Sequence, residues 1–168
     1  MFGHSSGAAL ALEAAAAGVE MRRLAVYEPP YTGDGKPTAE LADELRRLAA
    51  SGRREEAATR FLETTGAPPE VIDMIKAGPD WPGMLAIAHT LAYDITLCNG
   101  GVLPVEQLAK IPVRTLALAG GAGFGWAVEG AQTIAATIPD ASFQILSGQG
   151  HGPADEVPAP ILRDFFTA

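Results

Sequence analysis

The sequence has 168 residues, of which 48% are hydrophobic, and this length and composition fit one domain with a sizeable core. A formal net charge of −8 results from 20 acidic and 12 basic residues, and the basic residues are scattered. This balance argues against a surface for nucleic acid or for an anionic membrane. Cys98 is the single cysteine, which excludes an internal disulfide and a CxxC-type metal site.

The N-terminus has no basic segment followed by an apolar core, so no signal peptide is predicted. The longest apolar run, residues 8–18, is rich in alanine and contains Glu13. It is far shorter than the roughly 20 apolar residues that span a bilayer. We therefore expect a soluble protein, and the reduced single cysteine fits the cytoplasm.

The N-terminal part predicts a helix and then a strand. Alanine and leucine fill residues 7–18, which favours a buried helix that stops at Gly18. Residues 24–27 (Leu-Ala-Val-Tyr) form a short apolar run that ends at Glu28 and two prolines. A run of this length is typical of a buried parallel strand.

The middle of the chain, residues 32–101, reads as an all-helical insertion. Apolar residues at three- and four-residue spacing predict amphipathic helices over 38–50 and 53–65, with Thr38 as a candidate N-cap. Segments rich in glycine and proline separate these from two further predicted helices, over 70–77 and 83–97.

Strands and helices alternate again in the C-terminal part. Helices are predicted over 105–110, 126–138 and 158–166, and strands over 113–119 and 142–146. This alternation indicates right-handed βαβ units and a parallel sheet with flanking helices. The predicted class is therefore α/β, with residues 1–31 and 102–168 forming the core and residues 32–101 inserted as a helical cap.

Two sequence features carry candidate chemistry. Residues 3–7, Gly-His-Ser-Ser-Gly, fit the G-x-S-x-G pattern, in which a serine occupies a sharp strand-to-helix turn. A helix is predicted directly after Ser5. His151 lies in a glycine-rich loop between the last predicted strand and the last predicted helix, from which a general base can reach such a serine.

With these features the sequence resembles the α/β-hydrolase superfamily, from the nucleophile elbow onward. The resemblance implies Ser5 as nucleophile, His151 as base and the backbone N–H of Ser6 as one oxyanion-hole donor. It also implies a Ser-His-acid mechanism on an ester or another small acyl substrate, with neither cofactor nor metal.

The acid of the expected triad is less clear, because the glycine-rich loop 120–125, where the family usually carries it, contains no carboxylate. Glu28 stands after the preceding strand, a known variation of the fold, and is the first candidate. It fits equally well as a turn-capping carboxylate before the two prolines. Asp94 is the second candidate, whereas Asp155 and Glu156 lie too close to His151 in sequence.

The resemblance also implies that strands before the elbow, and the loop that donates the second oxyanion N–H, are missing. We therefore expect an exposed sheet edge beside strand 24–27, through which a homo-oligomer could form. The alternative to an active hydrolase is an inactive, truncated relative that acts as a binding or dimerisation module.

The remaining candidates have structural interpretations. His4 and His89 are expected to pack or to face solvent, although His89 could line a pocket with the aromatic and apolar residues of the insertion and the loop opposite. Those residues are Trp81, Met84, Leu91, Tyr93, Phe124 and Trp126. Loop 120–125 resembles a dinucleotide-binding loop, but its glycine spacing departs from G-x-G-x-x-G and no acidic residue ends the next strand.

Overall fold

The computed structural model describes residues 1–33, 35 and 38–168 and divides the chain into two compact units. One unit comprises Met1–Gly35 and Leu97–Ala168, and the other comprises Lys36–Thr96. The first is an α/β unit and the second is helical.

The α/β unit is built on a parallel sheet of four strands in the order β1-β2-β3-β4: β1 (Phe2–His4), β2 (Leu24–Tyr27), β3 (Thr115–Gly120) and β4 (Ala141–Leu146). Every residue of β2 and β3 is buried, as expected for central strands covered on both faces. The predicted parallel α/β sheet is confirmed. All four strands run in the same direction, so their carboxyl ends lie at one edge, where loops can bring side chains together.

Helices cover both faces of this sheet: α1 (Ser6–Ala16), α7 (Val105–Leu108), α8 (Gly125–Thr137) and α9 (Pro158–Thr167). Side chains alternate along β2, so Leu24 and Val26 join the core formed with α1 and α8. Ala25 and Tyr27 point to the opposite face, where apolar side chains of α9 pack.

The helical unit contains α2 (Ala39–Ala50), α3 (Arg54–Thr64), α4 (Pro69–Ala77), α5 (Trp81–Ala86), a 3₁₀ turn (Ala88–Thr90) and most of α6 (Leu91–Leu97). Its core is small and rich in alanine, formed by Ala42, Leu45, Ala57, Ala58, Ala88, Leu91 and Ala92. A second 3₁₀ turn, Asn99–Gly101, follows α6. Among the described residues, no helix is long and apolar enough to cross a membrane.

The prediction of a single helix over 83–97 is wrong, because the helix is interrupted between α5 and α6. Ile87 leaves the helical angles (φ −97°, ψ 5°), and its carbonyl accepts hydrogen bonds from both the backbone N–H and the hydroxyl of Thr90, each at 2.8 Å. These bonds form a tight 3₁₀ turn in place of a continuous α-helix.

Thr38 does not cap α2 with its side chain. Its backbone angles (φ −104°, ψ −25°) are near helical, whereas an N-cap residue is usually extended so that its side-chain oxygen meets the second or third N–H of the helix.

The sheet edge expected beside residues 24–27 is also wrong. β2 pairs with β3 on one side and on the other with β1, over Phe2↔Ala25, Gly3↔Val26 and His4↔Tyr27. The three residues of β1 are enough to satisfy that side of β2, so within the described residues β1 and β4 are the outer strands. Association with a second copy stays a prediction.

The turn between β1 and α1 brings two backbone segments so close that only glycine fits at one position. A Cβ atom added at Gly3 would lie 2.4 Å from the Gly7 carbonyl oxygen and 2.7 Å from Ala8 Cα, whereas one added at Gly7 meets nothing within 4 Å. Gly3, and not Gly7, is therefore the sterically required glycine of the motif.

We expect Gly3→Ala to lower the free energy of unfolding by about 1–3 kcal/mol or more, because backbone atoms must move to relieve the overlap. Gly7→Ala is the matched control, since alanine at that helical position is neutral or stabilises by up to about 1 kcal/mol. Chemical denaturation of both variants checks this. Equal stability of the two would contradict the close approach.

Candidate active site

Ser5 occupies a sharp turn between β1, which ends at His4, and α1, which begins at Ser6. Its backbone is strained, with φ 55° and ψ −128°. The Ser5 N–H donates to the Tyr27 carbonyl of β2 at 2.9 Å, and the Ser5 carbonyl accepts from the Ala8 N–H of α1 at 2.9 Å, so β2 and α1 both hold the turn. Such strain persists where the surroundings fix it, and it is common at functional sites.

A continuous chain of hydrogen bonds links Ser5, His151 and Glu28. The Ser5 Oγ lies 3.0 Å from His151 Nε2, and His151 Nδ1 lies 2.7 Å from Glu28 Oε2. The other carboxyl oxygen, Glu28 Oε1, accepts from the backbone N–H of Gly120 at 2.7 Å. The structure thus brings together the three side chains that the sequence suggested.

The partners fix the roles of the two imidazole nitrogens. The carboxyl oxygen of Glu28 accepts, so Nδ1 of His151 carries the hydrogen and Nε2 of the neutral ring is left as an acceptor. The hydroxyl of Ser5 therefore donates to Nε2. In this arrangement the imidazole can take the serine proton while its far side is held by the carboxyl group.

Glu28 reaches the histidine because it follows directly after β2, the neighbour of the strand that carries Ser5. Its backbone is in the left-handed region, with φ 46°, and its N–H donates to the Leu118 carbonyl of β3 at 3.1 Å. Ser5 and Glu28 are two of the three non-glycine residues with positive φ in the described part of the chain, the third being Asn99.

Burial differs along the hydrogen-bonded chain. The side chain of Glu28 is 0% exposed, whereas that of His151 is 37% exposed. A small molecule can therefore reach the imidazole while the carboxyl group stays out of water, where its interaction with the ring is screened less.

Ser6 places a backbone donor next to the nucleophile. It is the first residue of α1, so its N–H has no carbonyl of the same helix to bind. The positive end of the helix dipole lies at the same point. This N–H directly follows Ser5 in the chain and can therefore donate a hydrogen bond to a negatively charged atom beside Ser5.

The bond at Nδ1 of His151 is made by Glu28. Asp94, the second candidate acid, lies on α6 in the helical unit. Asp155 and Glu156 are exposed in the loop before α9.

The expected pocket residues fall into two groups. Leu91 belongs to the core of the helical unit, and Trp81 and Met84 pack against that core, while Tyr93 and His89 are exposed.

Phe124 and Trp126, in the α/β unit, stack with ring centroids 5.5 Å apart, and the Trp126 ring lies 6.3 Å from that of His151. Phe124 is 55% exposed, so this second group is an accessible apolar surface beside the imidazole.

Two residues that contact the site were missed at the sequence level, Tyr27 and Gly120. The Tyr27 hydroxyl donates to the Gly150 carbonyl, next to His151. A Cβ at Gly120 would lie 2.3 Å from the Gln149 carbonyl oxygen and 2.7 Å from the Tyr27 hydroxyl, so this glycine lets the histidine loop approach β3. The available signal was their position, at the carboxyl ends of two predicted central strands.

This packing also accounts for part of the glycine-rich loop 120–125. Gly120 is required by the close approach of the histidine loop, whereas a Cβ at Gly123 would make only an ordinary contact with Glu28 Oε1, at 3.5 Å. Within the described residues, no group of three or more His, Cys, Asp or Glu side chains is arranged to hold a metal ion.

The chain matches the alpha/beta hydrolase family over residues 1–164 and belongs to that family. It is similar to an α/β hydrolase from Sphaerobacter thermophilus, with 41% identity and a TM-score of 0.87 over 98% of this chain and 66% of that one. A hydrolase from Pseudomonas aeruginosa shows the same fold at 23% identity, with a TM-score of 0.63 over 99% of this chain and 64% of that one.

A third similar fold is that of a 2-hydroxy-6-oxo-6-phenylhexa-2,4-dienoate hydrolase from Rhodococcus, at 17% identity and a TM-score of 0.60, covering 99% of this chain and 63% of that one. The chain thus spans somewhat less than two thirds of the length of these structures. No curated protein matches it.

The environment of Tyr27 leads to a prediction about stability at high pH. Burial, and to a smaller extent the Glu28 carboxyl group, raises the pKa of Tyr27 from 10.0 to about 12. The folded protein favours the neutral phenol, so this residue contributes stability that is present in full below pH 10 and is lost as pH rises toward 12.

We expect the stability advantage of wild type over Tyr27→Phe to shrink between pH 10 and about 12. Urea denaturation of both proteins at several pH values measures it. A constant difference across that range would contradict the raised pKa.

Proposed function

We propose that Ser5, His151 and Glu28 form a catalytic triad and that the protein hydrolyses an ester or another small acyl substrate. The observation that carries this proposal is the hydrogen-bonded chain from Ser5 Oγ through both imidazole nitrogens to the buried Glu28 carboxyl group. Membership of the alpha/beta hydrolase family supports it.

In the first half of the reaction, Ser5 Oγ attacks the acyl carbonyl carbon while His151 Nε2 takes the serine proton. The carbonyl oxygen becomes an oxyanion, and the N–H of Ser6 donates to it. Glu28 keeps the ring in the tautomer with Nδ1 protonated and stabilises the imidazolium that forms. The side chains of Ser5, His151 and Glu28 need not rearrange for this proton transfer, because the ring is already bonded on both sides.

The tetrahedral intermediate then collapses. The bond from carbon to the leaving group breaks, and the imidazolium returns its proton to that group, leaving an acyl-Ser5 ester. In the second half, water loses a proton to His151 and attacks the ester, and Ser5 leaves with that proton. The products are the acid and the alcohol or amine.

The nucleophile assignment predicts that a fluorophosphonate probe labels the wild-type chain at Ser5, because the probe traps a serine activated by a neighbouring base. Ser5→Ala should show no labelling and no ester hydrolysis above background. Mass spectrometry of the labelled peptide identifies the site. Ser6→Ala is the matched control, since it keeps the backbone N–H and should still be labelled.

An unlabelled wild-type chain that is folded by circular dichroism would reject the enzyme assignment. It would favour the alternative, a binding or dimerisation module.

The acid assignment predicts that Glu28→Gln lowers kcat by about 10³–10⁴-fold, because the amide can donate to Nδ1 and select the wrong tautomer. Steady-state hydrolysis of a p-nitrophenyl ester measures the effect. Glu129→Gln, an exposed change in the same α/β unit, should leave kcat unchanged. A kcat of Glu28→Gln within about tenfold of the wild-type value would exclude Glu28 as the acid of the triad.

A further inference from the structure

The loop that carries His151 is bonded to the sheet edge through its backbone carbonyl groups, in addition to the bonds made by the Gln149 and His151 side chains. Gly148, Gly150 and Gly152 alternate along it, and a Cβ added at any of the three would meet nothing within 4 Å. Glycine loses more conformational freedom on folding than other residues, so this segment has little intrinsic reason to keep one shape. Contacts with residues outside the loop therefore have to fix its conformation.

Three consecutive carbonyl groups of the loop are each bonded to a different part of the sheet edge. The Gln149 carbonyl accepts from the Ala122 N–H, after β3, at 2.8 Å. The Gly150 carbonyl accepts from the Tyr27 hydroxyl, on β2. The His151 carbonyl accepts from His4 Nε2, on β1, at 2.6 Å. The loop therefore lies across the ends of three adjacent strands.

The two side-chain donors are themselves paired. His4 and Tyr27 are register partners on the adjacent strands β1 and β2, and their rings lie 5.5 Å apart. The His4 ring also lies 4.9 Å from the His151 ring. Parallel strands place such partners on the same face of the sheet, so one cross-strand pair supplies both donors.

These two bonds fix the peptide groups on either side of the His151 Cα atom. The Gly150 carbonyl belongs to the peptide before it and the His151 carbonyl to the peptide after it. With both peptides held, the backbone angles of His151 are set, and the direction of its side chain depends only on its own rotation. That rotation is then limited by Glu28 at Nδ1.

We propose that His4 and Tyr27 are positioning residues that hold the peptides flanking His151 and thereby keep its imidazole aligned between Ser5 and Glu28. This proposal rests on the proposed function for its kinetic consequence. His4, which the sequence suggested would only pack or face solvent, thus takes part in building the site.

Each test variant removes the hydrogen-bond donor of His4 or Tyr27 and keeps an aromatic ring at that position. In His4→Phe and Tyr27→Phe, we expect kcat for a p-nitrophenyl ester to fall about fivefold to tenfold, the scale of one lost hydrogen bond, with KM changed by less than about twofold. His4→Gln should recover most of kcat, because its amide can donate from nearly the same position as Nε2.

A second measurement does not depend on activity. The tautomer of the neutral His151 ring is read from two-bond ¹H–¹⁵N correlations of its carbon-bound protons, with the signals assigned by comparison with His151→Asn. We expect the Nδ1–H form in wild type and in His4→Gln, and a mixture of both tautomers in His4→Phe and Tyr27→Phe.

Tyr31→Phe is the matched control for Tyr27→Phe. Tyr31 is buried in the same unit, and among the described residues its hydroxyl has no hydrogen-bond partner, so removing it should change neither kcat nor the tautomer.

An unchanged tautomer in both ring-preserving variants would overturn the positioning role, whether or not the protein is an active hydrolase. Loss of stability alone, with wild-type kcat and tautomer, would also overturn it. If wild type is inactive but the tautomer responds as expected, the proposed function fails and the positioning role stands.

Discussion

The buried carboxyl group of Glu28 is the constraint on which the site depends. A carboxyl group excluded from water is costly unless its oxygens are bonded, and here one oxygen accepts from Gly120 and the other from His151. The first bond ties the end of β2 to the end of β3. The second ties both strands to the loop that faces Ser5. The link between the ends of β2 and β3 and the alignment of the imidazole therefore depend on the same carboxyl group.

Close backbone approach is the second requirement, and two glycines provide it. Gly3 lets the first turn of α1 approach β1 closely, and Ser5, half-buried, takes the strained backbone position between them. Gly120 lets the histidine loop pack closely against β3, and its backbone N–H donates to Glu28. A side chain at either position would overlap backbone atoms, and backbone cannot give way as the end of a flexible side chain can.

Much of the fold could be predicted from local patterns. Residues 24–27 and the strands that follow are short apolar runs bounded by turn residues, and their alternation with helices identified a parallel sheet. Local sequence patterns did not predict two features of the fold. The break at Ile87 has no glycine or proline to mark it, and the participation of residues 2–4 in the sheet rests on pairing with β2, which no local window contains.

By itself, the sequence determined the class of fold, the serine at a strand-to-helix turn and a histidine in a loop after the last strand, because these follow from short spacings and chain order. Only the tertiary structure places Glu28 at Nδ1 of the imidazole, and only it shows the contacts of Gly120, Tyr27 and His4 with the histidine loop. The physical reason is that these contacts join residues more than ninety positions apart, as from Glu28 to Gly120, or 147 apart, as from His4 to His151. Such pairs meet only when the parallel strands align their carboxyl ends at one edge.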